Sequence, residues 1–308
     1  MLYGVIDIGS NTIRLTVYEG DPATGKFSTF FKLKTMAGLV SYIEKKSGRM
    51  SEEGVQKLIE VLDGYLACTA RFKDLVGPFA FATAGIRNAK NANEVIEHVK
   101  HACGIDIDLV SGREEAELGY LGAMRQSALT RGVQIDVGGG STEVSTFDQG
   151  ALIHAHSIPE GSLSLFSSQV HGLLPTPREA DGIRELIREQ LAGVKAFAGF
   201  SCPVASGTGG TLRAATRLRN AWAPDKNGPQ ARLTRAQMDA VVDRVFYDPH
   251  GSVRDILRIA PERVHTCIPG LLVASEILSL FGARELEVHD FGVREGYLLA
   301  KVFDRHQR

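Results

Sequence analysis

The stretch "VIDIGSNTIRLTVYEG" at residues 5–20 returns as "QIDVGGGSTEVSTFDQG" at residues 134–150. Each copy runs through an apolar strand, an aspartate, one apolar residue, a glycine and a small polar turn, then a second strand of alternating character. Asp7 corresponds to Asp136, an offset of 136 − 7 = 129 residues. A hairpin repeated at domain-sized spacing calls for two similar units. The boundary is expected near residue 125, giving domains 1–125 and 126–308, with the terminal helix packing back on the first.

The remaining sequence of each half reads as mixed α/β. "SEEGVQKLIEVLDGYLACTARF" and "NANEVIEHVKHACG" carry helical apolar spacing, the second with Gly104 just past its end. "GPFAFATA" and "IDIDLV" read as strands, the latter running into the helix "SGREEAELGYLGAM". "TPREADGIRELIREQLAGVKAF" opens with Thr176, Pro177 and Glu179, a capping box with proline at the first helical position. "PVASGTGGTLRAATRL" reads as strand, glycine loop and helix. "TRAQMDAVVDRVF" and "IPGLLVASEILSLFG" read as helices, "ELEVHDF" as a strand, and "VREGYLLAKVF" as a closing helix.

Composition narrows the function classes. A net charge of −1 argues against a broad nucleic-acid or anionic-membrane surface. The longest apolar stretch, "CIPGLLVASEILSLFG", is too short and polar for a span of about 20 apolar residues. The start, "MLYGVIDIGS", has no basic segment and carries Asp7, so it does not read as a signal peptide. Cys68, Cys103, Cys202 and Cys267 lie far apart, without the spacing of a disulfide framework or a zinc site. A cytoplasmic protein is expected, with neither nucleic acid nor membrane as partner.

Three small-residue loops follow strands: "DIGSNT", "DVGGGST" and "SGTGGT". Such loops let backbone N–H groups converge on an anion, with Ser and Thr hydroxyls adding donors. One glycine-rich turn alone can be just a turn; three, two of them duplicated, point to phosphate. Asp7 and Asp136 beside these loops would repel a polyanion unless a divalent cation intervened, which suggests Mg²⁺; the alternative is that each aspartate caps its turn. In "SGREEAEL", Ser111 and Glu114 have capping-box spacing, leaving Glu115 as a candidate general base or a surface glutamate. Glu143, directly after the second loop, is a second candidate for orienting water or metal. Arg87 in "ATAGIR" suits bidentate phosphate contact, or simply faces solvent.

With "PERVHTCIPG" and "DFGVREG", these segments occur in order along nearly the whole chain. Together they resemble the exopolyphosphatase / guanosine pentaphosphate phosphohydrolase (Ppx/GppA) family, within the superfamily of actin, the Hsp70 ATPase and sugar kinases. The resemblance implies an α/β fold of two ribonuclease-H-like, actin-like ATPase domains with a cleft between them. It implies Mg²⁺-dependent hydrolysis of the terminal phosphoanhydride of inorganic polyphosphate, of guanosine pentaphosphate (pppGpp), or of both, by a homodimer. Under it Glu115 is the catalytic base, Glu143 positions the water, and Asp7 and Asp136 are metal-associated. Arg87 binds phosphate, as do the loops Ser10, Asn11, Thr12; Gly138, Gly139, Gly140, Ser141, Thr142; and Gly207, Thr208, Gly209, Gly210, Thr211. The chain departs from the family pattern at Lys34, where an arginine is usual, at His265, where an aspartate is usual, and at His289. It reads as a short form without an extra C-terminal helical domain. A kinase of the same superfamily, or an alarmone sensor without turnover, are the rival readings.

Overall fold

The computed structural model describes residues 1–307, and side chains through Arg305. The chain forms two compact units, Met1–Glu115 together with the chain from Arg294 onward, and Ala116–Val293. The division falls inside a helix rather than in a linker, so no composition shift marks it; the sequence had placed it near residue 125.

The first unit holds a five-stranded sheet of β1 (Leu2–Ile8), β2 (Thr12–Asp21), β3 (Lys26–Met36), β4 (Leu75–Ala82) and β5 (Ile107–Leu109), in the order β3-β2-β1-β4-β5. Strands β1 to β3 are an antiparallel meander, while β4 runs parallel to β1. Alternation sends Ile6, Ile8, Ile13, Leu15 and Val17 to one face, where they share a core with Leu58 and Leu62. Those leucines belong to α1 (Glu52–Thr69), whose start is capped by Ser51 accepting from the Gly54 N–H. The short α2 (Ala84–Arg87) follows β4, and α3 (Ala92–Cys103) ends on Gly104 at φ 69°. The helix α4 (Gly112–Ala123) carries the chain into the second unit.

The second unit repeats the plan with six strands: β6 (Gly132–Val137), β7 (Thr142–Asp148), β8 (Ala151–Ile158), β9 (Val204–Thr208), β10 (Arg232–Thr234) and β11 (Glu285–Val288). Their order is β10-β11-β9-β6-β7-β8, with β9 parallel to β6 as β4 is to β1. Each hairpin read in the sequence is thus the first two strands of a three-stranded meander. Six helices surround this sheet: α5 (Ser162–Gln169), α6 (Pro177–Ala192), α7 (Gly210–Trp222), α8 (Arg235–Tyr247), α9 (Pro249–Ile259) and α10 (Cys267–Leu280). Burial of α10 runs unbroken from Cys267 to Leu278, which explains its membrane-like composition. Its one carboxylate, Glu276, is held bidentately by Arg188 at 2.7 and 3.2 Å. No helix among the described residues is long and apolar enough to cross a membrane.

The chain then returns to the first unit through α11 (Val293–Tyr297), a π-helical turn (Leu298–Phe303) and α12 (Asp304–Gln307). The closing helix expected from sequence therefore changes pitch in its middle. It lies on the face of the first sheet opposite α1. Tyr297 stacks on Phe81 at 4.6 Å, Phe303 meets Tyr3 edge-on at 5.0 Å, and the Tyr18 hydroxyl donates to buried Glu295 at 2.6 Å.

The capping box of α6 is complete: Glu179 N–H donates to the Thr176 hydroxyl, and the Glu179 carboxylate accepts from the Thr176 N–H at 2.8 Å. That backbone bond foremost holds the carboxyl down to about 2, below its ordinary 4.5. The cap therefore stabilises fully above pH 4.5 and loses its contribution as pH falls toward 2. Urea unfolding of Glu179→Gln should show a shallower loss of stability across that interval than the parent protein.

Candidate functional site

The two turns after β1 and β6 are the same structure. Gly9 N–H donates to Thr12 O and Gly138 N–H to Ser141 O, each at 3.0 Å and each pair again 129 residues apart (138 − 9, 141 − 12). The outer carbonyls are tied down from behind. Val40 N–H donates to Ser10 O and Gly38 N–H to Asn11 O, both at 3.0 Å. In the second copy Ser162 N–H donates to Gly138 O at 2.9 Å, while Leu163 and Ser164 donate to Gly139 O at 2.8 and 3.0 Å. The N–H groups of Ser10, Asn11, Gly139, Gly140 and Ser141 donate to no backbone carbonyl among the described residues. The Asn11 side-chain nitrogen is buried and unpartnered. Both turns thus present donors suited to an anion.

Glycine is required where these turns are packed. A Cβ on Gly161 would lie 2.6 Å from Gly139 O and 2.7 Å from Ser141 N. The third loop turns on Gly209, at φ 105°, where a Cβ would lie 2.8 Å from Val137 O and 2.9 Å from Asp136 Oδ1. That contact brings Gly207–Thr211 against the end of β6 and so against Asp136. Two of the hydroxyls read as phosphate donors give their protons elsewhere: Thr142 donates to Glu160 O at 2.8 Å, and Thr211 to Ser162 Oγ at 3.3 Å.

The carboxylates divide by unit. Asp7 stands opposite Arg14 across β1 and β2, with Arg14 Nη1 at 3.6 Å and Arg294 Nε at 3.9 Å. At the equivalent place in the second unit Asp136 stands opposite Glu143, which is 1% exposed and accepts from Ser157 Oγ at 2.7 Å. Cross-strand partners share a face with Cβ atoms about 5 Å apart, so both carboxylates start from neighbouring positions on one face. Mg²⁺ binds one or two protein carboxylates and takes its other oxygens from phosphate and water. Asp136 with Glu143 fits that donor set; Asp7, between two guanidinium groups, fits it less well. Among the described residues no group of three His, Cys, Asp or Glu side chains gathers in one place.

Glu115 and Glu114 separate as the capping spacing suggests, with one difference. The Glu114 N–H does donate to Ser111 Oγ at 3.2 Å, but its carboxylate pairs with Lys301 Nζ at 2.5 Å instead of returning to the helix start. Glu115 turns inward, 7% exposed, and accepts from Arg87 Nη1 at 2.6 Å; the same nitrogen donates to Val110 O at 2.9 Å. Arg87 is therefore a partner of Glu115 before it is a partner of any phosphate. Of the departures noted in sequence, Lys34 lies across from Arg14 on β3, and the His265 ring packs on Phe166. Burial lowers the His265 and His289 pKa values, in His265 helped by Arg263. Arg14 and Arg294 belong to no loop motif in the sequence; the strand period places Arg14 beside Asp7, but only the folded chain brings Arg294 there.

The Ppx/GppA phosphatase family model matches residues 17–304. The chain belongs to this family. Among curated Ppx/GppA relatives it is 28% identical over 316 residues to "Exopolyphosphatase 1" of Mycobacterium tuberculosis, covering 98% of this chain and 88% of that one. It is also similar to the Ppx/GppA crystal structure from Aquifex aeolicus, at 26% identity and TM-score 0.79, covering 99% and 98% of the two chains. An exopolyphosphatase structure from Cytophaga hutchinsonii, 20% identical, shares the fold at TM-score 0.83 over 99% and 98%. The two sheets with their helices are accordingly the two-domain, actin-like ATPase fold of Ppx/GppA proteins.

Arg87→Met removes a charge-assisted hydrogen bond to a buried carboxylate and should cost about 1.5–3 kcal/mol in urea unfolding. Adding Glu115→Gln to it should recover part of that loss.

Proposed function

We propose that this protein hydrolyses the terminal phosphoanhydride of inorganic polyphosphate, and of guanosine pentaphosphate by the same chemistry, releasing orthophosphate. The observation that carries the reading is the buried Glu115 held by Arg87 at 2.6 Å in a member of a phosphatase family. A surface glutamate needs no such partner, and the guanidinium favours the ionised form that a base must have.

In this reading the turn amides and the Asn11 side chain bind phosphoryl oxygens. Glu115 takes the proton of the attacking water as its oxygen bonds to the terminal phosphorus and the bridging P–O bond breaks. Glu143, fixed by Ser157 in the second unit, would position water or metal there, and the leaving phosphate departs with the electron pair of the broken bond. Mg²⁺ would be held by Asp136 with Glu143 and would neutralise charge on the phosphoryl oxygens. Most of the rate would then come from positioning and charge stabilisation. The name carried by the Mycobacterium tuberculosis relative supports polyphosphate as the first substrate to try.

The test is orthophosphate release from tripolyphosphate, longer polyphosphate and pppGpp with Mg²⁺ and no acceptor. Release is expected from the parent protein, with Glu115→Gln lowering kcat by about 10²–10⁴-fold. A parent protein that binds these compounds and releases nothing would replace hydrolysis with sensing.

A further inference from the structure

The glycine of "CIPG" packs on two of the anion loops at once. A Cβ on Gly270 in α10 would lie 2.4 Å from Thr211 Cγ2, 3.1 Å from Ser162 Cβ and 3.1 Å from Val137 Cγ1. Thr211 lies in the first turn of α7 at the end of the third loop, and Ser162 opens α5 behind the second. Both are 0% exposed. Their hydroxyls form a chain with a fixed direction. Ser162 Oγ donates to Gly138 O at 2.9 Å, and because a carbonyl only accepts, the single Ser162 proton lies in that bond. Thr211 Oγ1 is therefore the donor in its 3.3 Å bond to Ser162 Oγ. The chain runs from Thr211 through Ser162 to Gly138, wholly inside the second unit.

Neither hydroxyl has a proton left for a phosphate. The Thr211 methyl meets Gly270 and its hydroxyl meets Ser162, so the side chain faces inward at both ends. Gly138 O also receives the Ser162 N–H at 2.9 Å, so one residue fixes this carbonyl twice. The trans peptide then turns the Gly139 N–H to the opposite edge. That amide donates to no backbone carbonyl among the described residues. The close approach of Gly209 to Val137 O sets the second and third loops side by side. We propose that Thr211, Ser162 and Gly270 form a brace: they lock the second turn to the third loop, so that both present their amides to neighbouring phosphoryl groups of one oligophosphate. Thr211 and Ser162 are then positioning residues. Their effect on rate rests on the hydrolytic reading, and the brace itself on geometry alone.

The test compares Thr211→Val and Ser162→Ala, singly and together, in amide hydrogen exchange without ligand and in kcat/KM for tripolyphosphate. Thr211→Val should speed exchange at Ser162, Leu163 and Ser164, whose N–H groups hold the second turn, and leave α8 as in the parent protein. Each single substitution should lower kcat/KM about fivefold, the effect of one hydrogen bond, and the pair should be no slower than the worse single. Gly270→Ala should show both effects. Adding Thr211→Ser, which removes the methyl in its way and keeps the hydroxyl, should reverse most of each. Exchange that is unchanged at Ser162, Leu163 and Ser164, or that rises equally in α8, overturns the proposal, as do losses that multiply in the pair. Exchange needs no turnover, so it separates the brace from the hydrolytic reading. If the parent protein releases no orthophosphate, faster exchange confined to the start of α5 still supports the brace, and unmoved exchange rejects it. Where Gly270→Ala does not fold, Thr211→Val decides alone.

Discussion

The architecture of both glycine turns depends on hydrogen bonds made to their backs. A trans peptide carries its C=O and the following N–H on opposite edges of one plane. When Leu163 and Ser164 hold the carbonyl of Gly139, the N–H of Gly140 has to point the other way. When Val40 holds the carbonyl of Ser10, the same follows for Asn11. The direction of the unpaired turn amides is thus set by the start of the next helical element. The donors at that helix start would otherwise be orphans of their own helix. Each group solves the other's problem, which is why the third strand and the turn after it belong to the site as much as the glycines do.

The duplicated frame then diverges in charge. The residue seven positions after the aspartate is Arg14 in one copy and Glu143 in the other, and both face their aspartate across the hairpin. The first copy balances its carboxylate internally, with Arg14 and with Arg294 from the returning chain. The second places Glu143 opposite its aspartate, with the Glu143 carboxylate held by Ser157 from β8. A duplication that began with equivalent aspartates has therefore given them different neighbours.

Much of this was legible from the sequence because it is local. The hairpins, the loops, the Thr176–Glu179 cap and the Ser111 cap that sets Glu114 apart from Glu115 all rest on spacings of a few residues. The bonds that complete them are not local. Ser111 and Glu114 have the right spacing for a reciprocal cap, yet Lys301, nearly two hundred residues on, takes the carboxylate. Thr142 reads as a phosphate donor until Glu160 O is found to hold its proton. Arg294 and Glu295 sit in a short motif near the end of the chain, and nothing in their neighbours says that they face Asp7 and Tyr18.

The same reasoning explains why Gln134, buried in β6, escaped notice. A single polar residue in "GVQIDV" fits a half-exposed strand as well as a buried one, since alternation alone predicts a polar position every second residue. The parallel neighbour β9, more than seventy residues later, brings Ser206 and Thr208 beside it, and Gly119 of α4 covers its amide. The internal repeat could have raised the question earlier, because Val5 occupies the matching place and shows that an apolar side chain suffices for the fold. The two copies differ in the size as well as the polarity of these side chains and in what covers them: Tyr297 stacks on Phe81 in the first, while Gly119 of α4 lies against Gln134 in the second. The surroundings of the aspartates differ as well, Asp7 lying between two guanidinium groups and Asp136 facing Glu143 across its hairpin.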